Sequence, residues 1–249
     1  MDETKLPTTP HEAEVVIRET PVGRRVVLAI LGVGAAGVAF GSKVQDGLER
    51  LLAPVTARDG TGLSSLLPTG RFRIYTVTGE LPSQRAPDYR LRVTGAVRDP
   101  LDLSFDDLTA MTPTSLTKDF QCVTGWRVHD VKWRGVRLAD LLDRAGADPS
   151  AGGIEFHSFD GVYTESLTMP QARRDDVIVA YEMEGKPVSS IHGGPVRLYV
   201  APMYGYKSCK WLDRIDVVNG EPEQGYWEDR GYDTHAWIGK SNGRDDTPV

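Results

Sequence analysis

Residues 191–220 read IHGGPVRLYVAPMYGYKSCKWLDRIDVVNG, and this stretch carries the clearest fold signals of the chain. Its segments 196–202 (VRLYVAP) and 212–220 (LDRIDVVNG) are rich in β-branched and aromatic residues and end at proline or glycine, which predicts two strands. Between them, residues 204–211 supply a glycine, two lysines and a run of backbone N–H groups. These features suit an anionic or phosphate-bearing ligand, and a surface hairpin with hydrated lysines is the alternative.

Strand and helix patterns alternate irregularly on the N-terminal side of this stretch. Residues 104–111 start with a serine followed by acidic residues, which is a helix-start pattern. Residues 136–146 place apolar side chains on one helical face and end at Gly146, a helix C-cap residue. The irregular order predicts an α+β fold with mixed sheets and irregular helices. Further strands are expected at 71–79, 89–97, 153–159 and 176–183.

Composition excludes several classes of protein. The 249 residues carry a formal net charge of −6, which argues against a general nucleic-acid-binding protein. Cys122 and Cys209 are the only cysteines, too few for a disulfide-rich scaffold or for a four-cysteine zinc or iron–sulfur site. A single disulfide between them stays open by count. The chain has no His-Glu-x-x-His pair, which argues against a zinc hydrolase.

The N-terminal region predicts export or membrane anchoring. Residues 1–23 are polar and aperiodic, so they are expected to be disordered. Residues 24–43 contain two arginines followed by an uncharged Gly- and Ala-rich run, which resembles a twin-arginine export signal or an uncleaved anchor. Residues 44–70 are turn-rich and are expected to form a linker to a folded domain over 71–249. The export or anchor signal predicts a periplasmic or otherwise extracytoplasmic location, with membrane association through residues 24–43.

Residues 119–136 (DFQCVTGWRVHDVKWRGV) carry a candidate metal ligand. The thiolate of Cys122 is a soft ligand suited to molybdenum, copper, zinc or iron, and a nearby cation such as Arg127 favours the deprotonated form. From this segment alone, a small packed cysteine is the more ordinary alternative. A cysteine nucleophile paired with His192 is another.

Three segments in this order, 120–126 (FQCVTGW), 192–212 (HGGPVRLYVAPMYGYKSCKWL) and 225–232 (GYWEDRGY), resemble the sulfite oxidase family of molybdopterin-dependent oxidoreductases. The likeness spans roughly residues 71–240 and is to bacterial single-domain members, which include methionine sulfoxide reductase subunits. It implies a sulfite-oxidase-type molybdopterin-binding fold with a single catalytic domain. It also implies a molybdenum–molybdopterin cofactor and two-electron oxygen-atom transfer. In such an enzyme the cofactor supplies the chemistry, and the protein binds and orients the cofactor.

The resemblance also assigns roles to individual residues. Cys122 matches the molybdenum ligand, while Tyr163 and Arg127 are the candidates for contact with substrate. Cys209 is expected to contribute its backbone, with its side chain packed inward. Glu165 is expected at a solvated strand position, with a position near the pocket as the alternative. Tyr226, Trp227 and Tyr232 either line the entrance or pack in the core. The predicted cofactor contacts are Arg73, Tyr75, Thr76, Cys122, Ser158, His192, Arg197, Lys207, Ser208, Cys209 and Lys210.

The resemblance implies a small-molecule substrate, either an oxyanion or an S- or N-oxide. Because there is no Cys-x-x-Cys-His haem attachment motif, electrons are expected to pass through a separate haem or other electron-transfer protein. Reduction of an S- or N-oxide is favoured over sulfite dehydrogenation, since only Arg127 and Arg197 match an arginine-rich anion pocket and no C-terminal dimerisation domain is expected. A cofactor-free binding module or a cysteine-nucleophile enzyme on the same fold is the alternative of another class.

Overall fold

The computed structural model describes residues 72–240, which contain two five-stranded sheets and three short α-helices. The strands are β1 (Arg90–Gly95), β2 (Leu101–Ser104), β3 (Thr114–Gln121), β4 (Arg127–Arg137), β5 (Gly153–Ser158), β6 (Thr164–Thr168), β7 (Val177–Met183), β8 (Lys186–Pro187), β9 (Arg197–Val200) and β10 (Leu212–Val218). The α-helices are α1 (Phe105–Thr109), α2 (Leu138–Ala145) and α3 (Met169–Ala172). The predicted α+β class with mixed sheets is confirmed.

The first sheet has the strand order β2-β1-β10-β5-β6, in which β1 and β10 are parallel and the other neighbours antiparallel. Buried and exposed residues alternate along β1, where Leu91 and Val93 are buried between exposed arginines. Successive side chains of a strand point to opposite faces, so one face of this sheet covers the core and the other faces solvent.

The second sheet has the order β3-β4-β7-β8, and β9 also pairs with β7. Val177, Val179 and Tyr181 of β7 pack into the main core, whereas Ile178 and Ala180 pack into a smaller cluster that includes Trp133 and Tyr199. Both faces of β7 are therefore buried, which explains why its sequence is almost continuously apolar.

Local signals placed two of the three helices, α1 and α2, correctly, whereas α3 was not predicted. Ser104 caps α1 by accepting a hydrogen bond from the Asp107 N–H, and the Asp107 side chain accepts from the Ser104 N–H in return, which completes a capping box. Helix α2 ends at Gly146, whose left-handed conformation (φ 61°) terminates the helix. Both helices fall within the predicted ranges.

The strand predicted at 71–79 is wrong for its described part, because residues 72–79 form no strand. Apolar and aromatic side chains in this segment pack against the pocket described below instead of pairing with a sheet. Strands β2, β3, β4, β6 and β8 were not predicted from the sequence. The predictions for 1–23, 24–43 and 44–70, and the start of the domain at Arg71, lie outside the described residues. No helix between residues 72 and 240 is long and apolar enough to cross a lipid bilayer.

Candidate functional site

Cys122 lies in a tight turn between β3 and β4. Its N–H donates to the Trp126 carbonyl at 2.9 Å, and the Gly125 N–H donates to the Cys122 carbonyl at 2.9 Å. Gly125 has φ 99°, a conformation that glycine adopts without steric cost. The Thr124 hydroxyl lies 3.2 Å from Cys122 Sγ and donates to it. The turn satisfies part of its own backbone and leaves a half-buried, free thiol at its first residue.

The guanidinium of Arg197, at the start of β9, is buried between carbonyls and aromatic rings. Nη1 donates to the His192 carbonyl at 2.7 Å, and Nη2 donates to the Ser208 carbonyl at 2.9 Å. The guanidinium carbon lies 5.5 Å from the centre of the Phe120 ring and 5.4 Å from that of Trp133. Burial lowers the pKa of Arg197 to about 10, so the group is cationic at neutral pH.

Lys210 packs directly against the backbone of Gly193. A Cβ atom on Gly193 would lie 2.6 Å from Lys210 Cβ, so only glycine permits this approach. The ammonium donates to the Tyr75 carbonyl and lies 4.3 Å from the centre of the Trp211 ring. Burial, together with repulsion from Arg197, lowers the pKa of Lys210 to about 8.

Residues 72–77 run along the same site without regular secondary structure. The Phe72 ring anchors this segment, with its centre 5.2 Å from that of Phe120, 6.1 Å from Trp126 and 5.0 Å from His192. Aromatic pairs at these separations contribute about 0.5–1.5 kcal/mol each beyond simple burial. The packing of Phe72, rather than strand pairing, anchors the segment, while Ile74 and Tyr75 are exposed on the pocket wall.

These segments enclose a pocket of about 330 Å³. Its wall combines the Cys122 thiol and the cations of Arg197 and Lys210 with mainly aromatic and aliphatic side chains. The predicted site residues on this wall are Arg73, Tyr75, Thr76, Cys122, Tyr163, His192, Arg197, Ser208 and Lys210.

The charges of the pocket favour an anionic group. Burial lowers the pKa of His192, and the nearby Arg197 and Lys210 lower it further, so its imidazole is neutral at neutral pH. Arg197 forms no ion pair with any carboxylate between residues 72 and 240. The described wall carries the cations of Arg73, Arg197 and Lys210 against the one carboxylate of Asp160, and this excess of positive charge in a largely apolar cavity attracts a negatively charged ligand.

Asp160 is a residue of the pocket wall that sequence analysis missed. Its Oδ1 accepts hydrogen bonds from the N–H groups of Val162 at 2.9 Å and Tyr163 at 2.8 Å. Its Oδ2 is buried and has no hydrogen-bond partner among the described residues. Since a buried acceptor without a donor costs about 1–3 kcal/mol, this oxygen suits an N–H group of a ligand. The Asp-Gly pair at 160–161 indicates a turn, but not that the turn borders a pocket.

Tyr163 lies on the pocket wall, as expected. Its hydroxyl donates to the Tyr206 carbonyl at 2.5 Å, and its ring stacks on Tyr226 with centres 5.8 Å apart. Burial raises the pKa of Tyr163 well above its usual value, so it remains a hydrogen-bond donor at neutral pH. Of the entrance candidates, Trp227 and Tyr232 line the pocket and also pack against the main core.

The structure does not place Arg127 where a substrate could meet it, which corrects that expectation. Only 6% of the residue is exposed, and it is not part of the pocket wall. Its Nε donates to Gln121 Oε1 at 2.8 Å, and its Nη1 lies 3.7 Å from Asp119 Oδ2. Arg127 begins β4, and both partners lie at the end of β3, so the side chain joins the two strands instead of facing the cavity.

Lys207 is also placed behind the wall, although it was predicted to contact the cofactor. Its ammonium lies 2.5 Å from Glu165 Oε1 and 2.6 Å from Glu228 Oε1, and its side chain is 1% exposed. Glu165 was expected to be solvated, and it is instead 1% exposed. Both expectations failed because the two glutamates come from distant segments that a local pattern does not reveal.

Two more predicted contacts lie behind the wall. The Ser158 hydroxyl accepts a hydrogen bond from the Asp160 N–H at 3.2 Å and is not on the pocket surface. Cys209 is fully buried, which confirms that its side chain packs inward. Cys122 and Cys209 are both free, so the disulfide alternative is not realised. Within residues 72–240, no three His, Cys, Asp or Glu side chains converge to hold a metal ion.

Comparison with known proteins agrees with this site. The family described as "oxidoreductase molybdopterin binding domain" matches residues 78–227. Over 156 residues the chain is 35% identical to the Bacillus subtilis protein named uncharacterized oxidoreductase YuiH, covering 62% of this chain and 78% of that protein. Over 170 residues it is 32% identical to a putative protein-methionine-sulfoxide reductase subunit, YedZ1, of Azospira oryzae, covering 68% and 63% of the two chains.

Larger relatives match over a smaller share of their length. The chain is 31% identical over 178 residues to sulfite oxidase of Arabidopsis thaliana, which covers 58% of this chain and 45% of that protein. The crystal structure of the sulfane dehydrogenase SoxCD from Paracoccus pantotrophus shares the fold, with a TM-score of 0.53 and 24% identity over 61% of this chain and 42% of that one. The chain belongs to the sulfite oxidase family of molybdopterin-binding oxidoreductases, whose cofactor is molybdenum–molybdopterin.

Proposed function

We propose that the Cys122 thiolate binds the molybdenum and that the pocket around it holds the pterin. The observation that carries this proposal is that the thiol shares one pocket wall with the cations of Arg197 and Lys210. A soft thiolate suits molybdenum, and buried cations suit a terminal phosphate. The unpartnered Oδ2 of Asp160 suits the N–H donors of a pterin ring. The residues present therefore fit the cofactor.

Each wall residue has a distinct part in this binding. Arg197 and Lys210 supply positive charge, and the two carbonyls held by Arg197 keep the backbone at His192 and Ser208 in place. Segment 72–77, with Arg73, Tyr75 and Thr76, closes one side of the pocket. When bound, the cofactor supplies two-electron oxygen-atom transfer. The protein orients it and keeps water out of an aromatic cavity.

The favoured reaction is reduction of an S- or N-oxide, in which a sulfoxide takes up two electrons and two protons to give a thioether and water. With Arg197 and Lys210 engaged by the cofactor, the rest of the described pocket wall is mainly aromatic and aliphatic, which suits a neutral substrate better than the sulfite dianion. Arg127, one of the two arginines that could bind an oxyanion, is engaged with Gln121. A relative named as a putative protein-methionine-sulfoxide reductase subunit supports the same direction. Tyr163 lies on the pocket wall, and its hydroxyl proton is engaged with the Tyr206 carbonyl, so its part in substrate binding is contact rather than proton donation.

A separate haem or other electron-transfer protein supplies the electrons in this proposal. The name of the Azospira oryzae relative, which calls it a subunit, supports a partnered enzyme. The extracytoplasmic location and the membrane association through residues 24–43 stay predictions from the sequence.

The test begins with molybdenum per folded chain, measured by elemental mass spectrometry on the full chain from a host that makes molybdopterin. We expect near-stoichiometric metal in the wild type. Cys122→Ser is expected to lose turnover while its thermal unfolding changes by less than about 1 kcal/mol, because the side chain is half-buried at a turn. Full activity in this variant would disprove the ligand assignment.

Substrate class is tested next on the metal-loaded enzyme. A small sulfoxide with a reduced dye as electron donor is expected to turn over faster than sulfite with an oxidised dye as acceptor. Faster sulfite oxidation would favour the sulfite dehydrogenase alternative, in line with the relative named sulfite oxidase. Wild-type protein without metal, although correctly folded, would instead favour the cysteine-nucleophile or binding-module alternatives.

A further inference from the structure

Behind the pocket wall, three charged side chains from separate segments meet in the interior. Each stands one or two residues after a residue of the wall. The wall residues are Tyr163, Tyr206 and Trp227, and the charged residues that follow them are Glu165, Lys207 and Glu228. We call these three charged residues the carboxylate clamp. None of the three lies on the pocket surface.

The geometry of the carboxylate clamp is tight. Lys207 Nζ lies 2.5 Å from Glu165 Oε1 and 2.6 Å from Glu228 Oε1, and the side chains are at most 1% exposed. A Cβ atom on Gly225 would lie 2.6 Å from Glu228 Oε2 and 2.8 Å from Glu165 Oε1, so a larger residue there would displace both carboxyl groups. The Tyr226 N–H donates to the Thr164 carbonyl at 3.0 Å and ties the same two segments through the backbone.

The charges of the clamp do not balance if every group is ionised. Two carboxylates and one ammonium would leave a net negative charge in the interior, which is far costlier than a neutral cluster. The second oxygens, Glu165 Oε2 and Glu228 Oε2, are buried and are not used by other groups of the described chain. The two carboxyl groups lie within hydrogen-bond reach of each other, so one proton can be shared between them. Burial raises the pKa of Glu165 well above its usual value, and Glu228 raises it further, while Lys207 opposes the shift.

Other titratable groups near Glu165 do not supply the missing positive charge. Tyr163, Tyr206 and Cys209 lie near the clamp, and burial keeps the phenol of Tyr163 and the thiol of Cys209 neutral by raising the pKa of each. Among the ion pairs of the described residues, Glu165 and Glu228 share Lys207 as their cation.

We propose that Glu165, Lys207 and Glu228 are positioning residues, a buried clamp that holds one proton between its carboxyl groups and fixes the aromatic wall of the pocket. Neutralised by this proton, the clamp joins the start of β6, the turn at 205–207 and the segment around 228. The Tyr163, Tyr206 and Trp227 side chains depend on these three segments for their positions. Deprotonation leaves two carboxylates facing each other, which pushes the segments apart. This inference goes beyond the proposed function and does not depend on the metal or the substrate.

The first test is the pH dependence of unfolding of the full chain, comparing wild type with Glu165→Gln from pH 5 to pH 9. The folded chain holds a proton that the unfolded chain releases near pH 4.3, so wild-type stability falls as pH rises until the folded carboxyl ionises. We expect the wild-type folding equilibrium constant to fall by up to about tenfold per pH unit relative to Glu165→Gln, which cannot titrate. Glu223→Gln, at an exposed glutamate, is the matched control and should keep the wild-type slope.

The double variant Glu165→Gln with Glu228→Gln separates this idea from simple ion pairing. A single glutamine leaves one carboxylate to pair with Lys207, so the cluster stays neutral and the protein stays folded. The double variant leaves Lys207 buried without a countercharge and should be much less stable than either single variant. A double variant as stable as the single variants would overturn the proposal, as would a wild-type slope equal to that of Glu165→Gln.

The second test measures the wall itself through Cys209, which is fully buried beside the clamp. Alkylation by iodoacetamide, located by peptide mass spectrometry well below the unfolding temperature, reports local opening at this thiol. We expect Lys207→Met to raise the rate at Cys209 severalfold and Glu165→Gln to leave it at the wild-type value. If Lys207→Met does not fold, the same comparison is made on wild type between pH 6 and pH 9, corrected for the alkylation rate of a small model thiol at each pH. An unchanged corrected rate would overturn the positioning role, whether or not the chain binds molybdenum.

Discussion

Replacing Lys210 with methionine should stabilise the cofactor-free protein while weakening its hold on the cofactor. Burial lowers the pKa of Lys210 from 10.5 to about 8, and this difference corresponds to a cost of about 3 kcal/mol for keeping the charged amine in the fold. The hydrogen bond to the Tyr75 carbonyl and the contact with the Trp211 ring offset about 1 kcal/mol or more of that cost. Methionine keeps most of the volume, so we expect a net gain of about 1–2 kcal/mol at pH 7.

The sign of this effect depends on pH. Below about pH 8 the amine is protonated in both the folded and the unfolded chain, so the whole cost of burial is present. Between about pH 8 and 10.5 the folded chain releases its proton first, and the cost declines with rising pH. The stabilisation by Lys210→Met should therefore be largest at pH 7 and absent near pH 10.5.

Thermal unfolding of cofactor-free protein at pH 7 and pH 10.5 measures this difference. For a protein of this size, the expected gain corresponds to a rise in Tm of about 2–8 °C at pH 7. Lys186→Met, at an exposed lysine, is the matched control and should change stability by less than about 0.5 kcal/mol. Molybdenum occupancy of Lys210→Met should fall at the same time. A variant that unfolds at a lower temperature than wild type at pH 7 would refute the argument that burial of this charge is costly.

Two further predictions concern the packing around the pocket. Arg197 holds two carbonyls with two separate nitrogens, at 2.7 and 2.9 Å, and Arg197→Lys lacks this fork. We therefore expect the free energy of unfolding in denaturant to fall by about 2–3 kcal/mol and molybdenum occupancy to fall as well. Unchanged values for both would contradict the role of the guanidinium fork. Gly205→Ala would place a Cβ atom 2.5 Å from Phe120 Cζ, so we expect a cost of about 1–3 kcal/mol, measured by the same unfolding assay; a smaller cost would show that the Phe120 ring can move aside.

Helices α1 and α2 could be predicted because their signals are local, whereas the four-residue α3 was missed. The capping box at Ser104 and the left-handed C-cap at Gly146 depend on residues within a few positions of each other. The buried strands β7 and β9 were also predictable, since their apolar runs are bounded by turn residues. Strands β3 and β4 were not predicted because they contain many polar and charged residues, which are also typical of surface loops. The pairing of β4 with the distant strand β7 cannot be seen in the local sequence.

The residues of the pocket were predicted only in part, because sequence shows which chemical groups are present and not which way they face. The segment 72–79 has the composition of a strand, yet its aromatic residue Phe72 packs on Phe120, Trp126 and His192. Arg127 has the chemistry of an anion-binding residue, yet Gln121 holds it between two strands. Asp160 could not be predicted as a pocket residue, because only the tertiary structure places its turn on the pocket wall.

Lys207 and Lys210 show what sequence alone cannot predict about this site. The sequence by itself determined the order of the thiol-bearing turn, the Gly-Gly-Pro strand and the lysine-rich turn, together with the family that this order implies. The two lysines stand three residues apart in one short turn and have identical chemistry. Only the tertiary structure places Lys210 on the pocket wall and Lys207 in the interior. Lys207 is buried because Glu165 and Glu228, from distant segments of the chain, pair with it there.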